Sequence, residues 1–89
     1  MIQKDLKILN RLGLHARPAA LIAQTACGFE SDVELTKDDI TINAKSIMGV
    51  MMLAAEFDCN VRVTVRGKDE EQAMQALEKL FNNKFNEEI

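Results

Sequence analysis

The chain contains a single histidine, His15, in a short segment from Gly13 to Pro18 that combines a nucleophile with a positive charge. A neutral imidazole has a ring nitrogen that can attack phosphorus, and the resulting P–N bond is labile enough for onward transfer. Arg17 adds a guanidinium fork whose geometry matches phosphate oxygens. These residue types predict a site that holds a phosphoryl group covalently for a short time.

Helical spacing begins directly after His15, because Ala19, Ile22 and Ala26 recur at intervals of three and four residues. A phosphoryl group on His15 would then lie at a helix N-terminus, where free backbone N–H groups and the helix dipole favour an anion. The simpler interpretation is that His15 is a solvated residue at a helix start and Arg17 an ordinary surface charge. Spacing alone favours the simpler interpretation, and local physics does not decide between them.

Composition and charge indicate a small folded protein and exclude several classes. The 89 residues, 47% of them hydrophobic, predict one globular domain over residues 1–89. The net charge of −3 argues against a nucleic-acid binder, which needs clustered Lys and Arg. The longest apolar run, Ile47 to Ala55, is too short for a membrane helix, and the first residues lack a signal-peptide pattern, so a cytoplasmic location is expected.

Cysteine and histidine usage bears on disulfides and metals. Cys27 and Cys59 lie far apart with no C-x-x-C pairing, so two reduced thiols are expected rather than a disulfide. With one histidine in the chain, a zinc site would lack ligands, and no metal is expected.

Hydrophobic periodicity divides the chain into seven elements in the order βαββαβα. Strands are predicted at residues 2–8, 32–35, 40–42 and 61–66. Helices are predicted from Ala16 to Cys27, with Gly28 ending the helix in a left-handed conformation, from Ile47 to Leu53 with Ser46 as N-cap, and after Asp69, which resembles a capping box with Gln72. Each strand shows one apolar side, so the expected fold is α+β, an open-faced two-layer sandwich with a four-stranded antiparallel sheet and three helices on one face.

Two segments resemble the signatures of a known family. The run from Leu12 to Ala19 resembles the G-[LI]-H-A-R-P-A active-site signature of HPr, the phosphocarrier of the bacterial phosphoenolpyruvate-dependent phosphotransferase system. The run from Lys45 to Met51 resembles the second signature of the family, at the separation from the histidine that the family shows. The resemblance spans nearly the whole chain, and the family fold is the βαββαβα sandwich expected above.

The resemblance implies a specific role for His15. Its Nδ1 would be phosphorylated by enzyme I, which is itself charged from phosphoenolpyruvate, and the group would pass to a histidine of an enzyme IIA domain. Arg17 would steady the phosphoryl oxygens, and no cofactor would take part. The protein would be a stoichiometric carrier and not an enzyme, and it would be a monomer because its docking surface must stay free.

The resemblance also implies a docking surface around the histidine. The family positions that contact partner proteins correspond to Ala16, Ala20, Ile47, Met48 and Met51. Flexible apolar residues such as methionine suit a surface that meets several partners in turn. Core packing is the alternative, and about half of these positions are expected to face inward, with Val50 and Leu53 as predicted core residues.

Three further alternatives stay open at this point. In some bacteria the matching serine is phosphorylated by an ATP-dependent HPr kinase/phosphorylase, so Ser46 is a candidate regulatory site, with a plain N-cap as the alternative. Three features are similar to the nitrogen-related branch, where the carrier serves regulation instead of sugar transport: Leu12, the run from Met51 to Leu53 and the run from Leu80 to Phe85. A rival hypothesis from another class is a non-catalytic α/β interaction domain in which His15 only caps a helix.

Overall fold

The computed structural model describes residues 1–87, in which four strands and three helices follow one another in the predicted order. The strands are β1 (Ile2–Lys7), β2 (Asp32–Lys37), β3 (Ile40–Asn43) and β4 (Asn60–Arg66). The helices are α1 (Ala16–Cys27), α2 (Ile47–Met52) and α3 (Glu70–Asn82), and a C-terminal turn (Lys84–Asn86) follows α3. The predicted α+β class is confirmed.

The four strands form one antiparallel sheet in the order β1-β4-β2-β3, so β4 and β2 are central. Val61, Val63 and Val65 of β4 are fully buried and alternate with polar residues, as the period-two pattern predicts. Val63 lies opposite Lys4 of β1 and Leu35 of β2. The three helices cover this apolar side of the sheet and share one hydrophobic core with it.

The start of α3 differs from the predicted capping box. Asp69 precedes the helix without a side-chain cap bond, and its carboxylate instead accepts hydrogen bonds from the Ser31 hydroxyl and from the backbone N–H groups of Glu30 and Ser31. The Ser31 hydroxyl and then the Glu30 N–H lower the pKa of Asp69, and desolvation in the opposite direction does not cancel them. A side-chain contact at the start of α3 comes instead from Glu70, whose carboxylate accepts a hydrogen bond from the Gly67 N–H at 3.1 Å. Asp69 therefore ties α3 to the loop after α1.

Gly28 ends α1 as predicted, but the expected left-handed conformation is wrong. Its φ of −74° and ψ of −5° are right-handed, and its N–H bonds to the Thr25 carbonyl at 3.2 Å. A tight last turn of this kind satisfies a helix-end carbonyl without a positive φ.

The C-terminal turn is an element that no pattern in the sequence predicts. Lys84, Phe85 and Asn86 have φ values of 57°, 55° and 62°, a region that residues other than glycine seldom adopt. The Phe85 side chain is fully buried, and its ring centroid lies 4.9 Å from that of Phe81. Burial of this ring directs the chain back across the sandwich, so that Glu87 reaches the start of α1.

Cys27 and Cys59 are both free thiols, as predicted. Within residues 1–87, no helix has the length and apolar character needed to cross a membrane. In the same residues, no three His, Cys, Asp or Glu side chains are grouped so that they could hold a metal ion.

Candidate functional site

His15 occupies the N-cap position of α1 with part of its ring open to solvent. Its backbone is extended, with φ −77° and ψ −171°, and its carbonyl accepts a helical hydrogen bond from the Ala19 N–H at 3.0 Å. The side chain makes no cap bond to the helix and is 38% exposed. A phosphoryl donor can therefore reach the ring, and the imidazole does not serve as a helix cap.

The loop before His15 is held against the segment that follows α2. Gly13 has a φ of 67°, and Leu14, which is buried, donates its N–H to the Ala55 carbonyl at 2.9 Å. The Asn10 amide is fully buried and donates to the Gly13 carbonyl at 2.8 Å. These contacts fix the direction in which the chain enters α1, and with it the place of the imidazole.

Position 13 requires glycine. A Cβ there would lie 2.6 Å from the Ala55 carbonyl oxygen, and the left-handed φ alone costs an L residue about 1–2 kcal/mol. We expect Gly13→Ala to lower the free energy of unfolding by about 2–3 kcal/mol in a urea titration. Gly28→Ala is the matched control, because the right-handed φ of Gly28 suits alanine, and it should change the free energy by less than about 1 kcal/mol. Equal losses in the two variants would contradict this explanation of the loop.

A carboxylate that follows the C-terminal turn lies beside the imidazole. Glu87 Oε2 is 2.7 Å from His15 Nε2, and Glu87 Oε1 accepts a hydrogen bond from Asn10 Nδ2 at 2.9 Å. Arg17 Nη1 donates to the Phe85 carbonyl at 2.8 Å and lies 3.6 Å from Glu87 Oε2. His15 and Glu87 are 72 residues apart, so no local pattern predicts their contact. Glu87 and Asn10 are thus site residues that reasoning from the sequence missed.

The charge state of Glu87 decides which nitrogen of His15 is free. Desolvation raises the pKa of Glu87, whose side chain is 12% exposed, but hydrogen bonds from Asn10 and His15, the charge of the His15 ring when it is protonated and the charge of Arg17 outweigh it, so the pKa is lowered overall. A carboxylate only accepts hydrogen bonds, so the shared proton belongs to Nε2. In the neutral ring the lone pair of Nδ1 is then available, and within residues 1–87 no protein group makes a hydrogen bond to it.

The α2 members of the predicted docking surface all face solvent. Ile47, Met48 and Met51 are 43%, 73% and 44% exposed. Val50 and Leu53 are buried and contribute to the core, as predicted. The helix therefore presents one side to the core and its methionine-rich side to solvent.

The remaining predicted residues lie at the starts of α1 and α2, which pack against each other. Ala16 is exposed and Ala20 is half-buried, so none of the five docking positions is fully buried, and the expectation that about half face inward is wrong. The Ser46 hydroxyl accepts the Gly49 N–H at 3.0 Å, which confirms Ser46 as the N-cap of α2. We call Ala16, Ala20, Ile47, Met48 and Met51 the contact patch.

Comparison with known proteins agrees with this arrangement. A family model described as the PTS HPr component phosphorylation site matches residues 2–83. The phosphocarrier protein HPr of Treponema pallidum is 52% identical over 88 residues, which are 99% of this chain and 100% of that protein. The chain belongs to the HPr family. It is an HPr phosphocarrier of the phosphotransferase system and not a catalytic enzyme.

Solved HPr structures share the fold. HPr-C-His from Thermoanaerobacter tengcongensis is 46% identical, with a TM-score of 0.95 over 100% of both chains. An HPr dimer from the same organism is 45% identical, with a TM-score of 0.76 over 98% of this chain and 100% of that one. The HPr sandwich is therefore present in a solved relative.

Proposed function

We propose that His15 Nδ1 accepts a phosphoryl group from phosphorylated enzyme I and passes it to a histidine of an enzyme IIA domain, within one phosphocarrier domain over residues 1–89. The observation that supports this most directly is a partly exposed imidazole whose Nε2 is held by Glu87 while Nδ1 stays free. Attack by the Nδ1 lone pair forms a P–N bond, the bond from phosphorus to the donor breaks, and its electron pair returns to the donor. In onward transfer the acceptor nitrogen attacks, and the Nδ1–P electron pair returns to His15.

Arg17 is the second residue of the proposed site. Its side chain is 52% exposed, and its guanidinium donates to the Phe85 carbonyl. A phosphoryl group on His15 would be a stronger, charged acceptor, so Arg17 turns from that carbonyl to the phosphoryl oxygens. Phosphoryl transfer depends mainly on positioning and charge stabilisation, to which both proteins contribute, so the proposal includes no cofactor.

A labelling experiment tests this function. The protein is incubated with labelled phosphoenolpyruvate and an enzyme I that phosphorylates a known HPr. We expect one phosphate per chain, lost in acid and retained in base, with 31P–15N coupling that places phosphorus on Nδ1. Coupling to Nε2 would overturn the assignment of the nitrogen, and absence of label would favour an interaction domain without phosphoryl chemistry.

We propose that the contact patch is where enzyme I and enzyme IIA dock, and Met48 at 73% exposure is its most accessible apolar member. Met48→Asp places an unpaired carboxylate in a contact that loses water on docking, so we expect the KM of enzyme I for this protein to rise roughly 10-fold with kcat little changed. The matched control is Ile40→Asp at the start of β3, a half-exposed apolar residue outside the patch, which should leave KM within about 2-fold. A similar rise in KM for both variants would place docking elsewhere.

Regulatory phosphorylation of Ser46 by an HPr kinase/phosphorylase stays a prediction. The residue is exposed, so a kinase can reach the hydroxyl. A phosphate there would place about two negative charges next to Ile47 and Met48 and repel acidic partners from the contact patch. We also propose that the protein works as a cytoplasmic monomer, because enzyme I and enzyme IIA need the contact patch free.

A further inference from the structure

Glu87 holds the His15 ring by a hydrogen bond, and its own carboxylate is held by further polar contacts. Each oxygen of its carboxylate has its own partner: Oε1 accepts from Asn10, and Oε2 lies 2.7 Å from His15 Nε2 with Arg17 Nη1 3.6 Å away. The Glu87 side chain is 12% exposed, and Asn10 is fully buried and anchored to the Gly13 carbonyl. The carboxylate is therefore fixed from two sides before any partner arrives.

We propose that Glu87 is a positioning residue for phosphoryl transfer, which keeps the proton of His15 on Nε2 and stabilises the positive charge that the ring gains when Nδ1 takes the phosphoryl group. This proposal rests on the proposed function of His15. Asn10 supports this role, because the hydrogen bond from its amide orients the Glu87 carboxylate. We call this arrangement of Glu87 and Asn10 the carboxylate clamp.

The chemistry follows from the two nitrogens of one ring. With the proton on Nε2, the lone pair of Nδ1 lies in the ring plane and points away from the clamp. When Nδ1 forms its bond to phosphorus, the Nε2 proton stays in place, so the ring becomes positively charged. A carboxylate at 2.7 Å compensates that charge, in the way that a buried carboxylate supports the histidine of a catalytic triad. On onward transfer the bonding pair returns to Nδ1, and the clamp is ready for another cycle.

The test separates the hydrogen bond from the charge. In 15N-edited NMR of the unphosphorylated protein, we expect an Nε2–H proton that exchanges slowly with water. Glu87→Ala should lose this signal and lower the kcat of phosphoryl acceptance roughly 10-fold with KM unchanged, because a hydrogen bond to a charged group is lost. Glu87→Gln keeps one acceptor oxygen for Nε2, but its NH2 then faces the Asn10 amide, so we expect a weaker Nε2–H signal than in the wild type that is still present, and a fall in kcat similar to that of Glu87→Ala, because the negative charge is gone.

Glu56→Ala is the matched control. Glu56 is an exposed carboxylate in the segment that contacts Gly13, and its removal takes away one negative charge near the loop without touching the ring. We expect it to keep both the protected proton and the wild-type kcat. A protected proton that survives in Glu87→Ala, or a wild-type kcat in that variant, would overturn the proposal.

The two proposals fail separately. Label should still reach His15 in both Glu87 variants, only more slowly, so loss of the clamp leaves the proposed function intact. The NMR measurement needs no enzyme I, so wild-type protein that takes no label would contradict the function while the clamp itself is still tested.

Discussion

His15→Ala is expected to take no label from phosphoenolpyruvate and enzyme I, with a signal at the background of a reaction without enzyme I. The chain has one histidine, so no second imidazole can take over the attack on phosphorus. The N-terminus of α1 and Arg17 remain in the variant, but they bind an anion and form no covalent bond. The loss should therefore be complete, unlike the partial loss expected from changes in the residues that position the ring.

Ser46→Ala is the control for this experiment. Ser46 is the other proposed acceptor in the chain, and its hydroxyl would form an acid-stable ester instead of an acid-labile P–N bond. We expect Ser46→Ala to take the same amount of acid-labile label as the wild type. His15→Ala loses the hydrogen bond from Nε2 to Glu87, which should lower the free energy of unfolding by about 1–3 kcal/mol, so a urea titration that shows the variant folded in the assay buffer excludes unfolding as the cause of missing label. Label that persists in His15→Ala would place the phosphoryl group on another residue and refute the function.

The parts of the fold that the sequence predicts are those set by local periodicity. Val61, Val63 and Val65 alternate with polar residues, and a strand with one buried side is the arrangement that satisfies this pattern. Similar reasoning identifies Val50 and Leu53 as core residues, because they are three residues apart and lie on the same buried side of the helical turn. Ile47 is also three residues from Val50, yet it is 43% exposed at the start of the helix, so periodicity alone does not decide which members of the contact patch face solvent.

Long-range partners are what local patterns cannot provide. Asp69 has the residue type and the place of a helix cap, but two backbone N–H groups and a hydroxyl from the loop after α1 take its carboxylate. Likewise, His15 and Glu87 are separated by 72 positions in the sequence, so no local pattern reveals their contact, although the motif identifies His15 itself. The sequence therefore predicts the nucleophile His15 and its neighbour Arg17. The carboxylate of Glu87 can be assigned to the site only from the folded structure.

The C-terminal turn explains how Glu87 is kept in place, and its buried aromatic ring is the part most sensitive to substitution. The Phe85 side chain is fully buried, and its ring centroid lies 4.9 Å from that of Phe81. The Phe85 carbonyl accepts a hydrogen bond from the Arg17 guanidinium. A positive φ of 55° is unfavourable for a bulky residue, so the gain from burying the ring must exceed the backbone cost. The ring is thus the anchor that brings Glu87 to His15.

Phe85→Ala should lower the free energy of unfolding by about 3–5 kcal/mol, because it removes a buried aromatic side chain and leaves a cavity against Phe81. That is a large part of the roughly 5–13 kcal/mol expected for a domain of this size. Urea unfolding gives the value, and Phe57→Ala is the matched control, since the Phe57 ring is 53% exposed and its loss should cost less than about 1 kcal/mol. In the folded fraction of Phe85→Ala, the protected Nε2–H signal of His15 should also weaken, because Glu87 follows Phe85 by two residues. Equal costs for the two phenylalanines, or an unchanged His15 signal, would show that the C-terminal turn does not anchor the carboxylate clamp.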